Sequence, residues 1–190
     1  MTEQLPLNTR PMPIRLRIED FVLLDQSGAF DKYAKTELVE GEILFMNAQH
    51  RPHGMVKMEL YDALRDALGS LNSPLRPVIE FSVALPPDSM PEPDIMLTSE
   101  PRGDGPVPLP SVALVIEVSD HSLDFDLGAK ARIYAGAGIP EYWVADLNAR
   151  LIHQMWAPEG KEYSERKKVP FGERVEAVTI AGIVLDTSSI

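Results

Sequence analysis

The stretch VALVIEVSDHSLDFDLGAKARIYAGAGIPEYWVAD, residues 112–146, decides the fold. It opens with VALVIEV (112–118), a continuous apolar run of strand length, as expected for a strand buried on both faces. Residues 123–136 then read as a helix whose Leu123, Leu127, Ala131 and Tyr134 form an inward stripe, stopped by Gly136, Gly138 and Pro140. Tyr142–Ala145 (YWVA) is a second short apolar strand. The three pieces make a βαβ unit, so the two strands should lie parallel with a right-handed crossover.

Working outward, IEDFVLL (18–24) reads as a short helix ending near Ser27-Gly28. ELVEGEILFM (37–46) is a strand interrupted by Gly41, as a hairpin or a bulge. From Gly54 to Leu68 apolar residues recur at Met55, Met58, Tyr61, Leu64, Ala67 and Leu68, the spacing of an amphipathic helix closed by Gly69-Ser70. Pro77–Leu85 and Pro93–Thr98 are strand-like, and residues 99–111 form a Pro/Gly-rich surface connector. Leu151–Trp156 and Glu162–Lys168 resemble a polar-faced hairpin with Pro158 and Gly160 in its turn. Residues 1–13 read as a loose lead-in to one domain spanning 1–190.

Composition narrows the function classes. An apolar fraction of 44% and a charged fraction of 25% are ordinary for a soluble globular protein. No apolar run approaches the length of a membrane span, and no secretion signal is legible, so a cytoplasmic location is expected. The absence of cysteine removes disulfides, thiolate zinc sites and cysteine nucleophiles. A net charge of −11 argues against tight constitutive nucleic-acid binding, since the one basic run is Arg166-Lys167-Lys168. It leaves room for an enzyme whose divalent cations offset local carboxylates.

Glu117 is the sharpest anomaly, a carboxylate inside LVIEV. Buried there, it must be paired with a cation, protonated or bound to a metal. Asp94, in PEPDIML, opens the preceding strand; alone it is equally consistent with turn chemistry. Two carboxylates on adjacent strand ends would make a hard-oxygen site suited to Mg²⁺ or Mn²⁺. Lys130 borders or joins the inward helical stripe, with Asp126 and Tyr134 one turn away on either side; it either reaches across the sheet to Glu117 or snorkels beside Asp126. If 37–45 is extended, Glu37 shares parity with Val39, Ile43 and Phe45 and is a site candidate, or simply an exposed first residue, while Glu40 and Glu42 face solvent. His53 could touch the site or serve as a helix-start residue, and His121 could approach a phosphate. The four histidines lack zinc-ligand spacing, and no GxSxG, Walker A or GxGxxG motif is present.

PEPDIMLT followed by ALVIEVSDHSLDFDLGAKARIYAGAGIPEYWVAD resembles the Uma-type endonuclease family of the PD-(D/E)XK nuclease superfamily. ELVEGEI and HGMVKMELYDAL resemble that family's opening, so the likeness spans about residues 18–185. The resemblance implies a restriction-endonuclease-like α/β fold with an αβββαβ core, a mixed central sheet, an added N-terminal strand and a C-terminal hairpin. It implies that Asp94 and Glu117 are metal ligands and that Glu37 is the glutamate of the opening motif. The superfamily lysine two residues after the second acid is replaced here by Ser119, and Lys130, in the helical D…K…Y pattern, is the substitute.

The expected function is phosphodiester hydrolysis of DNA by Mg²⁺ or Mn²⁺ held by Asp94, Glu117 and the Val118 carbonyl, with Lys130 and Glu37 assisting. Two alternatives stand beside it: a non-catalytic interaction module on a nuclease scaffold, and a metal-dependent hydrolase of a small phosphoester. Double-strand cutting with one site per subunit would favour a homodimer.

Overall fold

The protein is described here by a computed structural model covering residues 12–190. Residues 1–11, most of the expected lead-in, lie outside the described residues. The chain runs α1 (Ile18–Gln26), a hairpin of β1 (Lys35–Val39) and β2 (Glu42–Met46), α2 (Arg51–Leu71), β3 (Arg76–Ile79), β4 (Val83–Ala84), β5 (Ile95–Thr98), β6 (Val107–Pro108) and β7 (Val112–Ser119). A helical segment follows, built from α3 (Leu123–Phe125), a π-turn over Asp126–Lys130 and α4 (Ala131–Gly136). Strands β8 (Glu141–Asp146), β9 (Leu151–Glu159), β10 (Glu162–Pro170), β11 (Arg174–Glu176) and β12 (Val184–Asp186) complete it.

The architecture is α/β around a six-stranded mixed sheet ordered β10-β9-β8-β7-β5-β3. β7 and β8 pair in parallel, as the βαβ pattern requires, and the flanking pairs are antiparallel. Alternation along β7 explains its unbroken hydrophobicity. Leu114, Ile116 and Val118 pack with Leu60, Leu64 and Leu68 of α2 on one face. Val115 packs with Tyr134, Ala131 and Tyr142 on the other. Glu117 and Ser119 share that second face, and both are buried.

Several sequence expectations need correction. Helix α2 begins at Arg51 and runs past Gly69-Ser70 to Leu71, where Asn72 closes it at φ 49°. Its buried stripe is Lys57, Leu60, Leu64 and Leu68, whereas Met55 and Met58 are exposed. Three leucines at i, i+4 spacing outweigh a looser methionine pattern. The strand expected over 77–85 breaks at Glu80, whose φ is 56°, and resumes as the two-residue β4, which pairs in parallel with β6. Pro158 lies within β9, leaving the hairpin turn to Gly160 and Lys161.

Gly41 marks a true hairpin. Glu40 (φ 48°) and Gly41 (φ 78°) both occupy the left-handed region that a tight two-residue turn demands. A Cβ on Gly41 would also sit 2.7 Å from the Arg15 Cβ. Reversal at this turn shifts the parity: Glu37 pairs with Leu44 and Thr36 with Phe45. Glu37 therefore shares its face with Val39 and Leu44, and not with Ile43 or Phe45.

Candidate active site

At the carboxyl end of β7, side chains from five separate elements converge. Asp94 stands at the entrance to β5, whose Ile95 pairs with Ile116, so it lies beside Glu117 across the strand pair. The Asp94 amide donates to Glu117 Oε2 (3.3 Å), and the Val118 amide donates to Asp94 Oδ2 (2.9 Å). Pairing between β5 and β7 ends at Ile116, so the Val118 amide is free for a side chain. An extended residue points its N–H and C=O to the same edge, which turns the Val118 carbonyl toward the Asp94 carboxylate as well.

Lys130 is 1% exposed. Its Nζ lies 3.0 Å from Glu117 Oε1 and 2.6 Å from Glu37 Oε2. Tyr134, one turn on, donates its hydroxyl to the same Glu117 oxygen at 2.8 Å. The lysine is thus deep within the stripe and pairs with Glu117 and Glu37, not at its border beside Asp126. The π-turn widens the helix where both Asp126 and Lys130 enter the interior. Glu37 is fully buried and accepts the Glu92 amide at 3.1 Å.

A second layer comes from α2 and the loop before it. Gln49 donates to Asp94 Oδ1 (2.8 Å), His53 Nε2 stands 3.1 Å from Asp94 Oδ2, and Lys57 Nζ bridges Gln49, Glu80 and Asp94. His53 lies in the first turn of α2, with His50 in the cap position. His121, by contrast, is exposed beside Asp120 and does not reach the site. Gln49, Lys57, Lys35, Glu80 and Glu92 were not singled out from the sequence. For Lys57 a signal existed: it sits one turn ahead of Leu60 and Leu64 on the buried stripe.

The electrostatics divide the two central acids. Burial pushes Asp94 upward, but the His53 hydrogen bond and charge, the Val118 amide and Lys57 outweigh it and hold the carboxyl at about 2. Burial raises Glu117 to about 7 against the pull of Lys130, with Asp94, Asp126 and Glu37 adding repulsion. Burial likewise raises Asp126 to about 6, despite the Ser122 hydrogen bond and Lys130. Burial disfavours the Lys130 ammonium, yet Glu117 and Glu37 more than reverse this and keep it charged. One lysine faces two carboxylates, so Glu117 is the one left short of positive charge.

These groups open onto a cleft of about 310 Å³ lined by Lys35, Glu80, Glu92, Asp94, Glu117 and Asp126 among others. Six carboxylates (those five acids and Glu37) meet only three lysines, Lys35, Lys57 and Lys130. A surplus of hard oxygen donors beside a free main-chain carbonyl suits a divalent cation. No three histidines or acids among the described residues stand close enough to hold an ion by themselves. Mg²⁺ is normally bound by one or two carboxylates with water and substrate oxygens completing the shell, so the donor set fits.

The fold and the buried acid cluster together define a nuclease-like α/β protein. A crystal structure of a protein described as "a putative nuclease belonging to DUF820" from Anabaena variabilis shares this fold, with a TM-score of 0.65 at 14% identity, covering 92% of this chain and 96% of that one. Over residues 18–188 the chain matches the Uma2 family, described as "putative restriction endonuclease", and it belongs to that family. No curated protein matches the sequence. No helix among the described residues is long and apolar enough to cross a membrane.

Proposed function

We propose that the protein is a divalent-metal-dependent phosphodiesterase acting on DNA, with Asp94, Glu117 and the Val118 carbonyl as ligands of Mg²⁺ or Mn²⁺. The observation that carries this is geometric: the buried acids Asp94 and Glu117 adjoin, the Asp94 amide donating to Glu117 Oε2 at 3.3 Å, in a cleft whose carboxylates outnumber its lysines. Burial raises the proton affinity of Glu117 while His53, the Val118 amide and Lys57 lower that of Asp94, a division of the kind that working sites use. The chemistry a cation supplies there is a water acidified toward neutrality and a counter-charge for the phosphate oxygens.

The chain's own residues have distinct tasks in this proposal. Asp94 is held ionised and oriented by Gln49, His53 and the Val118 amide. Lys130 and Tyr134 fix Glu117 Oε1 from below, which turns the other oxygen toward Asp94 and the cleft. Lys130 Nζ is held between Glu117 and Glu37, so it acts as a positioning residue through Glu117, and Glu37 holds Lys130 in turn. Lys35 also lines the cleft, where its ammonium faces Glu37 and Glu92.

The test is cleavage of DNA by the purified full chain with Mg²⁺ or Mn²⁺. Wild type should cut and Glu117→Gln and Asp94→Asn should not. No cutting by wild type, or equal cutting by Glu117→Gln, overturns the proposal. The net charge of −11 favours a second possibility, a non-catalytic module on the same scaffold. Titration calorimetry separates the two, because Mn²⁺ binding that Asp94→Asn abolishes is expected only of the phosphodiesterase.

A further inference from the structure

The three exposed aromatic side chains among the described residues lie one position along the chain from residues that line the acid cleft. They are Tyr33 (50% exposed), Phe45 (62%) and Phe81 (53%). Each is the chain neighbour of a cleft-lining residue: Ala34, Met46 and Glu80 respectively. Tyr33 and Phe45 come from the two sides of the β1–β2 hairpin and lie against one another, ring centroids 5.3 Å apart. Phe81 stands in a separate hollow of about 550 Å³ with Arg76 and Arg102. Rings left in water at such positions do nothing for the core, and their placement on segments that flank the cleft points to a ligand with flat faces.

The three hollows meet along one short stretch of chain. Glu80 lines the acid cleft, Phe81 the larger hollow, and Ser82 a depression of about 320 Å³ beside Tyr33. Three consecutive residues open onto three spaces because Glu80, at φ 56°, breaks the strand there. Lys35 and Glu92 line both the acid cleft and the Tyr33 depression. The acid cleft and the Tyr33 depression thus share a wall, and the Phe81 hollow begins one residue beyond Glu80 of the cleft.

Charge selects among nucleic acids. A duplex hides its bases and offers phosphates, which demand free basic side chains. Here Lys35, Lys57 and Lys130 are all tied to carboxylates, and the Arg166–Lys168 run lies on β10, at the opposite sheet edge from β3. An unpaired strand offers base faces, and stacking on aromatic rings holds them whatever their sequence. We infer that the three hollows act as one trough that receives an unpaired nucleic-acid strand. One base stacks on Phe81 between the Arg76 and Arg102 guanidiniums, another sits at the Tyr33–Phe45 lip, and the intervening phosphate lies over Asp94 and Glu117. This rests on the cleft being a phosphodiesterase site.

The test is fluorescence anisotropy of the full chain in EDTA, where no cleavage intrudes. The probes are a short fluorescein-labelled DNA strand without self-complementarity and the duplex formed with its complement. The strand should bind tighter than the duplex by on the order of tenfold. Phe81→Ala should weaken strand binding about 5- to 150-fold, the effect of one lost stack, and Phe81→Trp should restore it. Tyr33→Ala with Phe45→Ala should weaken it similarly. All three side chains are exposed, so circular dichroism melts should match wild type. Duplex binding equal to or tighter than strand binding, no strand binding, or unchanged affinity in these variants overturns the inference. A chain that binds the strand through Phe81 yet cuts nothing fails the phosphodiesterase proposal and retains the trough. A chain that cuts duplex at full rate with Phe81→Ala fails this inference alone.

Discussion

Replacing Glu117 by Gln removes one buried ionisation while keeping the side chain's shape, and the consequence is a specific pH dependence of stability. The folded-state value of Glu117 is about 7 against an ordinary 4.5. The folded protein thus holds this proton more tightly than the unfolded chain, so the stability it contributes is complete below the unfolded value and is lost as pH rises through about 7. That gap corresponds to roughly 3 kcal/mol, most of which falls between about pH 5 and about pH 8. Glu117 is 5% exposed, so solvent screening takes little from this. The amide loses the Asp94 N–H partner, but that cost is the same at every pH and cancels in the comparison. Urea unfolding in EDTA measures it: the stability of wild type minus that of Glu117→Gln should fall by roughly 2–3 kcal/mol from about pH 5 to about pH 8. A difference that stays constant across that range would refute the assignment of Glu117 as the acid that burial neutralises.

Mn²⁺ should raise the unfolding free energy of wild type in urea at about pH 8, by about 2.7 kcal/mol at a hundred times its Kd, and leave Asp94→Asn unmoved; equal shifts in both would place the ion elsewhere. Lys130→Met strands Glu37 and Glu117 without a cation and should cost about 3–5 kcal/mol by urea unfolding, easing at low pH as the acids protonate. A loss under about 1 kcal/mol would mean the lysine is not their counter-charge. Leu114→Ala, at a fully buried position facing α2, should cost about 2–5 kcal/mol without abolishing Mn²⁺ binding. Its calorimetric titration separates core damage from damage to the site.

Residues 112–146 were legible because their local and tertiary demands agree. An eight-residue strand buried on both faces must be apolar throughout, and a helix returning over it must carry a periodic stripe. The helix before the sheet was legible in kind but not in orientation. Met55 and Met58 carry helical spacing as well as Leu60 and Leu64 do, and only packing against Ile95, Leu97 and Leu114 chooses the leucines. Parity on the β1–β2 hairpin was misjudged for a related reason, since a two-residue turn at Glu40-Gly41 changes which residue faces Glu37.

Within the candidate site, Glu117 announced itself in the sequence, because a carboxylate in an apolar strand cannot remain buried without a partner. Asp94 and Lys130 were legible as candidates, and the sequence already carried Glu37, though on a parity that needed correction. What only the tertiary structure decided is their company. Gln49, His53, Lys57 and Glu80 lie 14 to 45 positions from Asp94, and no local pattern brings them to its carboxylate. Their placement depends on how α2 crosses the sheet and where β3 ends. A single buried charge can therefore be read from one strand, whereas the field that sets its proton affinity belongs to the packed whole.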